Sequence, residues 1–240
     1  MLYDLAATAA ELAAARIALA ILPIGAIEQH SQHLPIGTDW LSIQALARRV
    51  GELCTEWGDV YLLPALPCSL SQCHGPGLGN VWLRPETLAA VLRDVVLSLK
   101  REGIHRIAVL NGHGGNFVLD AEIRELNASH PELIVLNVTS RGFRRGGGSQ
   151  DIHAGAGETS RMLALHPELV HEPPPDYIPA GLGPEFLDYA YMAQISPTGI
   201  WGSPSEASAQ AGAKALEETA QRLAQRIRHA FEEIERQRAQ

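Results

Sequence analysis

The chain has 240 residues, of which 46% are apolar and 19% are charged. This is the composition of a folded globular protein and argues against intrinsic disorder. The formal net charge of −8 argues against non-specific nucleic-acid binding. The apolar run at 17–24 is interrupted by Pro23 and followed by Glu28, so it falls short of the roughly 20 residues that a membrane span needs. We therefore expect a soluble protein that does not bind membranes, with one domain over residues 1–240.

The cysteines and the N-terminus indicate the cellular compartment. The three cysteines, at positions 54, 68 and 73, cannot all pair within the chain and show no C-x-x-C spacing, which favours a reducing environment. Residues 1–15 are rich in alanine but contain Asp4 and Glu11, and they lack the basic segment that precedes the apolar stretch of a signal peptide. We therefore expect a cytoplasmic protein.

Strand-like and helix-like segments alternate along the chain. Short apolar runs predict strands at 17–24, 60–66, 106–110 and 133–138. Helical spacing of apolar residues, with Pro and Gly at the ends, predicts helices at 41–57, 85–101 and 117–129, and one or two helices within 204–238. The Pro- and Gly-rich segment 172–184 is expected to be a loop or lid. This alternation predicts an α/β domain in which a mostly parallel sheet lies between helices.

Polar side chains gather where three of these strands end. Glu28, His30 and Asp39 follow the first strand, and His113 follows the strand that ends at residue 110. A third group, which follows the strand ending near residue 138, consists of Asp151, His153 and Glu158. Ligands of open α/β sheets bind beyond the carboxyl ends of the strands, so we expect these groups to meet. Imidazole and carboxylate ligands suit Zn, Mn or Fe, and the convergence predicts a metal site.

Three of these residues also have structural explanations. His113 could be incidental to the glycine-rich turn 111–116, which contains neither the dinucleotide-binding nor the P-loop motif. Glu158 at the start of a helix would interact favourably with the helix dipole. Asp151 could orient His153 as a hydrogen-bond partner, or could simply be solvated.

Other candidate groups lie outside these clusters. His33 could support the loop after the first strand, and His74 lies in a second loop that follows a strand. Cys73, next to His74, lacks the local signature of a cysteine nucleophile. We expect the remaining histidines to be solvated; they are His105, His130, His166, His171 and His229.

Four segments form a recognisable pattern. They are Leu22-Pro-x-Gly-x-x-Glu-Gln-His-x-x-His-Leu-Pro-x-Gly-Thr-Asp39, Asn111-Gly-His-Gly-Gly-Asn116, His153-Ala-Gly-x-x-Glu-Thr-Ser160 and Gly199-x-x-Gly-x-Pro204. Together they resemble the creatininase family of metal-dependent amidohydrolases. The resemblance implies a three-layer α/β/α domain that assembles as a homo-oligomer, with a hexamer as the expected size.

The resemblance also implies a site with two divalent metal ions, of which zinc is expected and manganese or iron are alternatives. Glu28 and His113 would ligate one ion, and His30 would ligate the other. Asp39 would bridge both ions, and Glu158 would complete the second site. The catalytic histidine would be His153. Further residues are expected to contact the substrate, namely Ser71, His74 and Asn116.

Three positions depart from creatininase itself. Creatininase has Tyr and Glu directly after the His of the Asn-Gly-His motif, where this chain has Gly114 and Gly115. It also has a Trp four residues before its catalytic His, where this chain has Ser149. We therefore expect an amidohydrolase that cleaves a non-standard C–N bond of a small molecule other than creatinine, using a metal-activated water.

Several other activities remain open. Within the same family, they are deformylation of a ring-opened purine-like nucleotide and trimming of a small peptide cofactor precursor. A mononuclear-metal enzyme that opens or isomerises a ring is a different class of answer, and a metal-binding protein without activity is a third. The presence of the full proposed ligand set and of His153 argues against the last of these.

Overall fold

The computed structural model of the chain describes residues 1–75, 79–139 and 150–239. Within these residues the strands form a five-stranded sheet in the order β1-β3-β2-β4-β5, and all neighbouring strands pair in parallel. The strands are β1 (Leu2–Tyr3), β2 (Ile17–Ile24), β3 (Asp59–Leu62), β4 (Arg106–Asn111) and β5 (Ile134–Thr139). Ile24 is opposite Asn111 in the register. The carboxyl ends of β2 and β4 therefore lie side by side.

Helices cover both faces of this sheet. The α-helices are α1 (Ala9–Ala14), α2 (Thr38–Cys54), α3 (Pro85–Arg101), α4 (Val118–Ser129), α5 (Ala156–Leu165), α6 (Met192–Ile195) and α7 (Ala209–Arg238). Short 3-10 helices occupy Thr55–Trp57, Gln72–His74, Pro167–Leu169, Pro184–Asp188 and Pro204–Glu206. Within the described residues, no helix is both long enough and apolar enough to cross a membrane.

The core is divided between the two faces by the alternation of side chains along the strands. Ile21 of β2 packs with α2 and α7 in one buried cluster, whereas Leu22 packs with α3 and α4 in the other. Burial on both faces explains why β2 reads as a continuous apolar run rather than an alternating one. The predicted three-layer α/β domain is confirmed, and its sheet is wholly parallel within the described residues.

Several boundaries differ from the sequence prediction. The helix predicted at 41–57 begins at Thr38, so Asp39 lies in its first turn rather than in the preceding loop. The strand predicted at 60–66 ends at Leu62, because Pro64 cannot donate a ladder hydrogen bond. The segment 204–238 contains one long α-helix. Residues 172–183 form a loop, as predicted, and a 3-10 helix begins at Pro184.

The first strand and helix were missing from the prediction. β1 has only two residues and pairs with β3 at the edge of the sheet, so it leaves no alternation to detect. α1 carries a capping box in which Thr8 and Glu11 each bind the other's backbone N–H. That Thr-x-x-Glu spacing is a helix-start signal in the sequence.

Candidate metal centre

Glycine at the end of β2 brings two parts of the candidate site together. A side chain at Gly25 would lie 2.6 Å from the backbone of Trp40, so glycine lets β2 end directly against the first turn of α2. Glu28 N–H then donates to the Ile36 carbonyl at 3.0 Å and closes the intervening loop. This packing places Glu28 and Asp39 next to each other, and both carboxylates are buried.

The first candidate group consists of Glu28, Asp39 and His113, whose ligand atoms all lie within 4.8 Å of one another. His113 Nδ1 lies 3.0 Å from Asp39 Oδ2 and 3.3 Å from Glu28 Oε2. On its other side, His113 Nε2–H donates to the Leu70 carbonyl at 2.8 Å. This hydrogen bond fixes the ring and leaves Nδ1 facing the two carboxylates, which is the usual arrangement at a metal-binding histidine.

The second candidate group consists of His30, Asp39 and Glu158. His30 Nε2 lies 3.6 Å from Asp39 Oδ1 and 3.5 Å from Glu158 Oε2. His30 Nδ1–H donates to the backbone carbonyl of Glu28 at 3.2 Å, so Nε2 is the atom presented to the carboxylates. Asp39 thus offers one carboxylate oxygen to each group. This is the geometry that a bridging ligand requires.

His153 borders both groups. Its Nε2 lies 2.7 Å from the Gln29 carbonyl oxygen and 3.2 Å from Gln29 Nε2. The shorter contact, to an oxygen that can only accept, places the proton on Nε2, and Nδ1 lies 3.8 Å from Glu28 Oε1. Ala154, the next residue, has a φ of 50°, a left-handed conformation that is uncommon outside glycine. This turn directs Ala154 N–H to Glu158 Oε2 at 2.7 Å and places Glu158 beside the cluster.

The electrostatics of the cluster call for additional positive charge. Burial by itself would lower the pKa of His30, but the carboxylates of Glu158, Asp39 and Glu28 outweigh it and raise this pKa to about 9. Burial also acts to lower the pKa of His113, and the same kind of interaction, chiefly with Glu28 and Asp39, raises it well above its ordinary value. Protons bound to these imidazoles thus balance the negative charge of the buried carboxylates.

Two polar atoms at the centre of the cluster have no hydrogen-bond partner within the described residues, namely Glu28 Oε2 and His30 Nε2. Buried polar atoms are rarely left this way unless an ion or water binds them. Glu28 belongs to the group with Asp39 and His113, and His30 to the group with Asp39 and Glu158, while both also form a third group with His153. The donor set of imidazole nitrogens and carboxylate oxygens therefore fits divalent metal ions.

Comparisons with known proteins give the family. A model of the creatininase family, described as creatinine amidohydrolase, matches residues 4–227. The chain belongs to the creatininase family. Creatinine amidohydrolase from Pseudomonas putida is 30% identical over 235 residues, covering 88% of this chain and 89% of that protein. Mycofactocin precursor peptide peptidase from Mycobacterium ulcerans is 29% identical over 220 residues, covering 86% and 83%.

Solved creatininases share the fold of this chain. A Mn creatininase has a TM-score of 0.74 and a mutant creatininase of Zn-Zn type has a TM-score of 0.75. Each is 28% identical, and the match covers 95% of this chain and 98% of that chain. The protein is thus a creatininase-family amidohydrolase, from a family of metal-dependent hydrolases that act on C–N bonds. The Mn and Zn relatives support its use of divalent metal.

Glycine at position 115 is fixed by the packing of this creatininase-family site. A Cβ at Gly115 would overlap the Leu70 carbonyl oxygen and lie 2.6 Å from His113 Nε2. These two atoms form the hydrogen bond that orients His113. The Glu found here in creatininase would therefore need a different arrangement of the loop. Ser149, the other departure from creatininase, lies outside the described residues.

The three residues expected to contact the substrate are all buried. Ser71 Oγ donates to the Ile27 carbonyl at 3.3 Å. Asn116 accepts from Leu70 N–H at 3.0 Å and donates to Asn111 Oδ1 at 2.8 Å. Their polar groups therefore hold the loops around the cluster, and substrate contact by Ser71 and Asn116 stays a prediction.

Two of the open structural questions have definite answers. Asp151 Oδ2 accepts from Gly157 N–H at 2.8 Å, so it binds the first turn of α5 and is neither a partner of His153 nor merely solvated. His33 Nε2 lies 3.0 Å from the hydroxyl of Thr159. This contact ties the loop after β2 to α5, as expected of a supporting residue.

Sequence reasoning missed Gln29 and Arg161. Gln29 contacts His153 through its carbonyl and His74 through its amide nitrogen. The buried guanidinium of Arg161 lies 3.6 Å from Glu158 Oε1 and offsets part of the negative charge of the cluster. The signal for Gln29 was its position inside the Glu-Gln-His motif, whereas Arg161 follows from its spacing of three residues after Glu158 on α5.

Proposed function

We propose that this chain is a dinuclear metal hydrolase that cleaves a non-standard amide of a small molecule other than creatinine. The observation that carries the proposal is the position of Asp39, whose two carboxylate oxygens belong to two different groups of candidate ligands. One aspartate that faces two imidazoles from opposite oxygens is the arrangement expected where two cations share a ligand.

The proposed ligand sets follow from the distances. Glu28 Oε2, His113 Nδ1 and Asp39 Oδ2 would hold one ion, and His30 Nε2, Asp39 Oδ1 and Glu158 Oε2 would hold the other. Glu158 would replace the second-metal ligand that creatininase has at the position of Gly115. Zinc is the expected metal, with manganese or iron as alternatives, because such ligand sets accept each of them.

His153 is proposed to move the proton during hydrolysis. Two divalent ions, when bound, would lower the pKa of a water and polarise the amide carbonyl. His153 Nε2 is committed to the Gln29 carbonyl, which leaves Nδ1 to take a proton from the attacking water and deliver it to the leaving nitrogen. Burial holds the pKa of His153 well below its ordinary value, so the ring would start the reaction as a base.

A peptide amide is the second candidate substrate. The relative from Mycobacterium ulcerans is a peptide peptidase and is 29% identical over most of both chains. Gly114 and Gly115 stand where creatininase has Tyr and Glu, which argues against creatinine as the substrate. A hydrolysis screen over creatinine, formamides and short peptides, with detection of the new amine and carboxylate, tests both candidates. Turnover of creatinine alone would contradict the proposed substrate class.

Metal content tests the number of ions. We expect close to two ions per chain in purified protein, measured by mass spectrometry of the metals, and one ion would contradict the dinuclear proposal. Glu158→Gln is expected to lose the ion held by His30 and to keep the other. Glu168→Gln, at an exposed glutamate beyond the same helix, is the control and should keep both.

The role of His153 has a separate test. His153→Ala should keep both ions and abolish turnover, because the proposed role is proton transfer rather than ligation. His153 also forms a possible ligand group with Glu28 and His30. Loss of metal from His153→Ala would therefore reassign it as a ligand and contradict the proposed role.

We also propose a cytoplasmic homo-oligomer, with a hexamer as the expected size. The exposed large apolar side chains of the described residues include Val81 (50% exposed), Trp82 (48%) and Phe117 (68%), which are available for contact between copies. The three free cysteines are consistent with a reducing compartment. Light scattering after size-exclusion chromatography measures the assembly, and a monomer at micromolar concentration would contradict the oligomer.

A further inference from the structure

The side-chain amide of Gln29 has a fixed orientation. Ser31 N–H donates to Gln29 Oε1 at 2.9 Å, so the oxygen end of the amide points to Ser31 and the nitrogen end points the other way. Gln29 Nε2 then lies 3.0 Å from His74 Nδ1. An amide nitrogen can only donate. His74 Nδ1 must therefore be the acceptor, and the imidazole proton resides on Nε2.

The proton on His74 Nε2 faces a proposed metal ligand. His74 Nε2 lies 3.2 Å from Glu28 Oε1, and both side chains are almost completely buried. His74 thus donates to one oxygen of the Glu28 carboxylate, while the other oxygen, Oε2, faces His113 Nδ1 at 3.3 Å. A carboxylate held in this way presents a single, defined oxygen to an ion.

The backbone around Gln29 and His74 is built to keep this arrangement. Asn80 Oδ1 accepts from Gln29 N–H at 2.7 Å, and Asn80 Nδ2 donates to the Gly75 carbonyl at 3.0 Å. Asn80 therefore ties the loop of Gln29 to the loop of His74. Gly199 has a φ of 74°, and a Cβ there would overlap Gln29 Oε1, so glycine leaves room for the amide.

We propose that His74 is a positioning residue rather than a substrate contact. Gln29 sets its tautomer, and His74 in turn orients Glu28 so that Oε2 becomes the ligand of the ion shared with His113. The inference rests on the proposed metal site but not on the substrate or on turnover. It predicts that replacing His74 weakens the binding of one ion only, because the ion held by His30 and Glu158 does not depend on the orientation of Glu28.

Metal titration of the metal-free protein tests this selectivity. Zn²⁺ is added in competition with a chromophoric chelator, and the two binding steps are resolved. His74→Leu should weaken one step by about 10- to 100-fold, the usual loss when a hydrogen-bond partner of a metal ligand is removed, and leave the other unchanged. His74→Gln should restore most of the affinity, because its amide can donate to Glu28 and accept from Gln29.

Two further variants assign the binding steps and test the contact between Gln29 and His74 from its other side. Glu158→Gln should weaken the other step and so identifies which step belongs to which ion. Gln29→Met removes the donor to His74, together with the acceptor of Ser31 N–H and the amide contact with His153. It should weaken the same step as His74→Leu, which covers the case in which His74→Leu does not fold. Unchanged binding in both His74→Leu and Gln29→Met would overturn the inference. Wild-type protein that binds no Zn²⁺ would instead overturn the proposed metal site.

Discussion

Gly115→Ala is expected to destabilise the protein and disturb the metal centre together. The added Cβ would overlap the Leu70 carbonyl oxygen and lie 2.6 Å from His113 Nε2, whereas ordinary contact begins at 3.4 Å. Both contacts must therefore lengthen, the one to His113 Nε2 by about 0.8 Å (3.4 less 2.6 Å). Leu70 is held in place, because its N–H donates to Asn116 Oδ1 at 3.0 Å. The bond between His113 Nε2–H and the Leu70 carbonyl is the contact that we expect to break.

The magnitude follows from two contributions. Overpacking a buried site costs about 1–3 kcal/mol, and a buried donor left without its acceptor costs about 1–3 kcal/mol more. For a chain of this length, each kcal/mol lowers the melting temperature by about 2–4 °C. We therefore expect a fall of about 4 °C or more in Tm. Loss of the His113 orientation should also reduce metal affinity by about 10- to 100-fold.

Thermal melting followed by circular dichroism, with metal content measured on the same samples, checks both effects. Gly114→Ala is the matched control, because Gly114 is exposed and neither glycine has a positive φ. The control should melt close to wild type and keep its metal. If Gly115→Ala melts within about 1 °C of wild type and binds the same number of ions, the close packing inferred at this loop is wrong.

Three other predictions concern stability. Burial and the nearby charge of His30 lower the pKa of His33 from 6.5 to about 4. Between these two pH values the unfolded chain binds more protons than the folded one. The free energy of unfolding therefore falls as the pH drops from about 6.5 to about 4. Glutamine does not titrate, so in metal-free His33→Gln the urea midpoint of unfolding should change less with pH over this window than in wild type. The same pH dependence in both proteins would contradict the assignment. Arg49→Ala breaks a half-exposed pair with Glu217 and should cost less than about 1 kcal/mol by urea unfolding; a loss of several kcal/mol would be inconsistent with a screened surface pair. Gly212→Ala would place a Cβ over the Ser160 carbonyl where α7 crosses α5 and should cost at least about 1–3 kcal/mol in the same assay, which an unchanged midpoint would disprove.

Much of the fold was predictable because local signals agree with the global architecture. The buried strands β2 and β4 stand out as apolar runs, and Pro85 marks the start of α3. The errors lie where local signals are weak or mixed. The apolar spacing predicts the helix only from residue 41 and misses Thr38 and Asp39, since no side-chain cap marks the start of α2; Gly37 fills the N-cap position without a side-chain hydrogen bond.

The composition of the site was also predictable. Because the carboxyl ends of parallel strands share one edge of the sheet, residues after β2 and β4 had to meet, and the structure brings Glu28, His30, Asp39 and His113 together. His153, just before α5, and Glu158, in its first turn, join them, and no local pattern in the sequence specifies that approach. The metal roles of all these residues stay predictions until ions are measured.

The sequence by itself determined which chemical groups the site contains, since residue types and their spacing after strands are local properties. Tertiary structure decided how those groups are presented. The carbonyl of Leu70 selects Nδ1 of His113, the carbonyl of Gln29 selects Nδ1 of His153, and Gln29 selects the tautomer of His74. Each choice depends on a backbone or amide group from another loop, and hydrogen bonds between distant loops leave no periodic trace in the sequence.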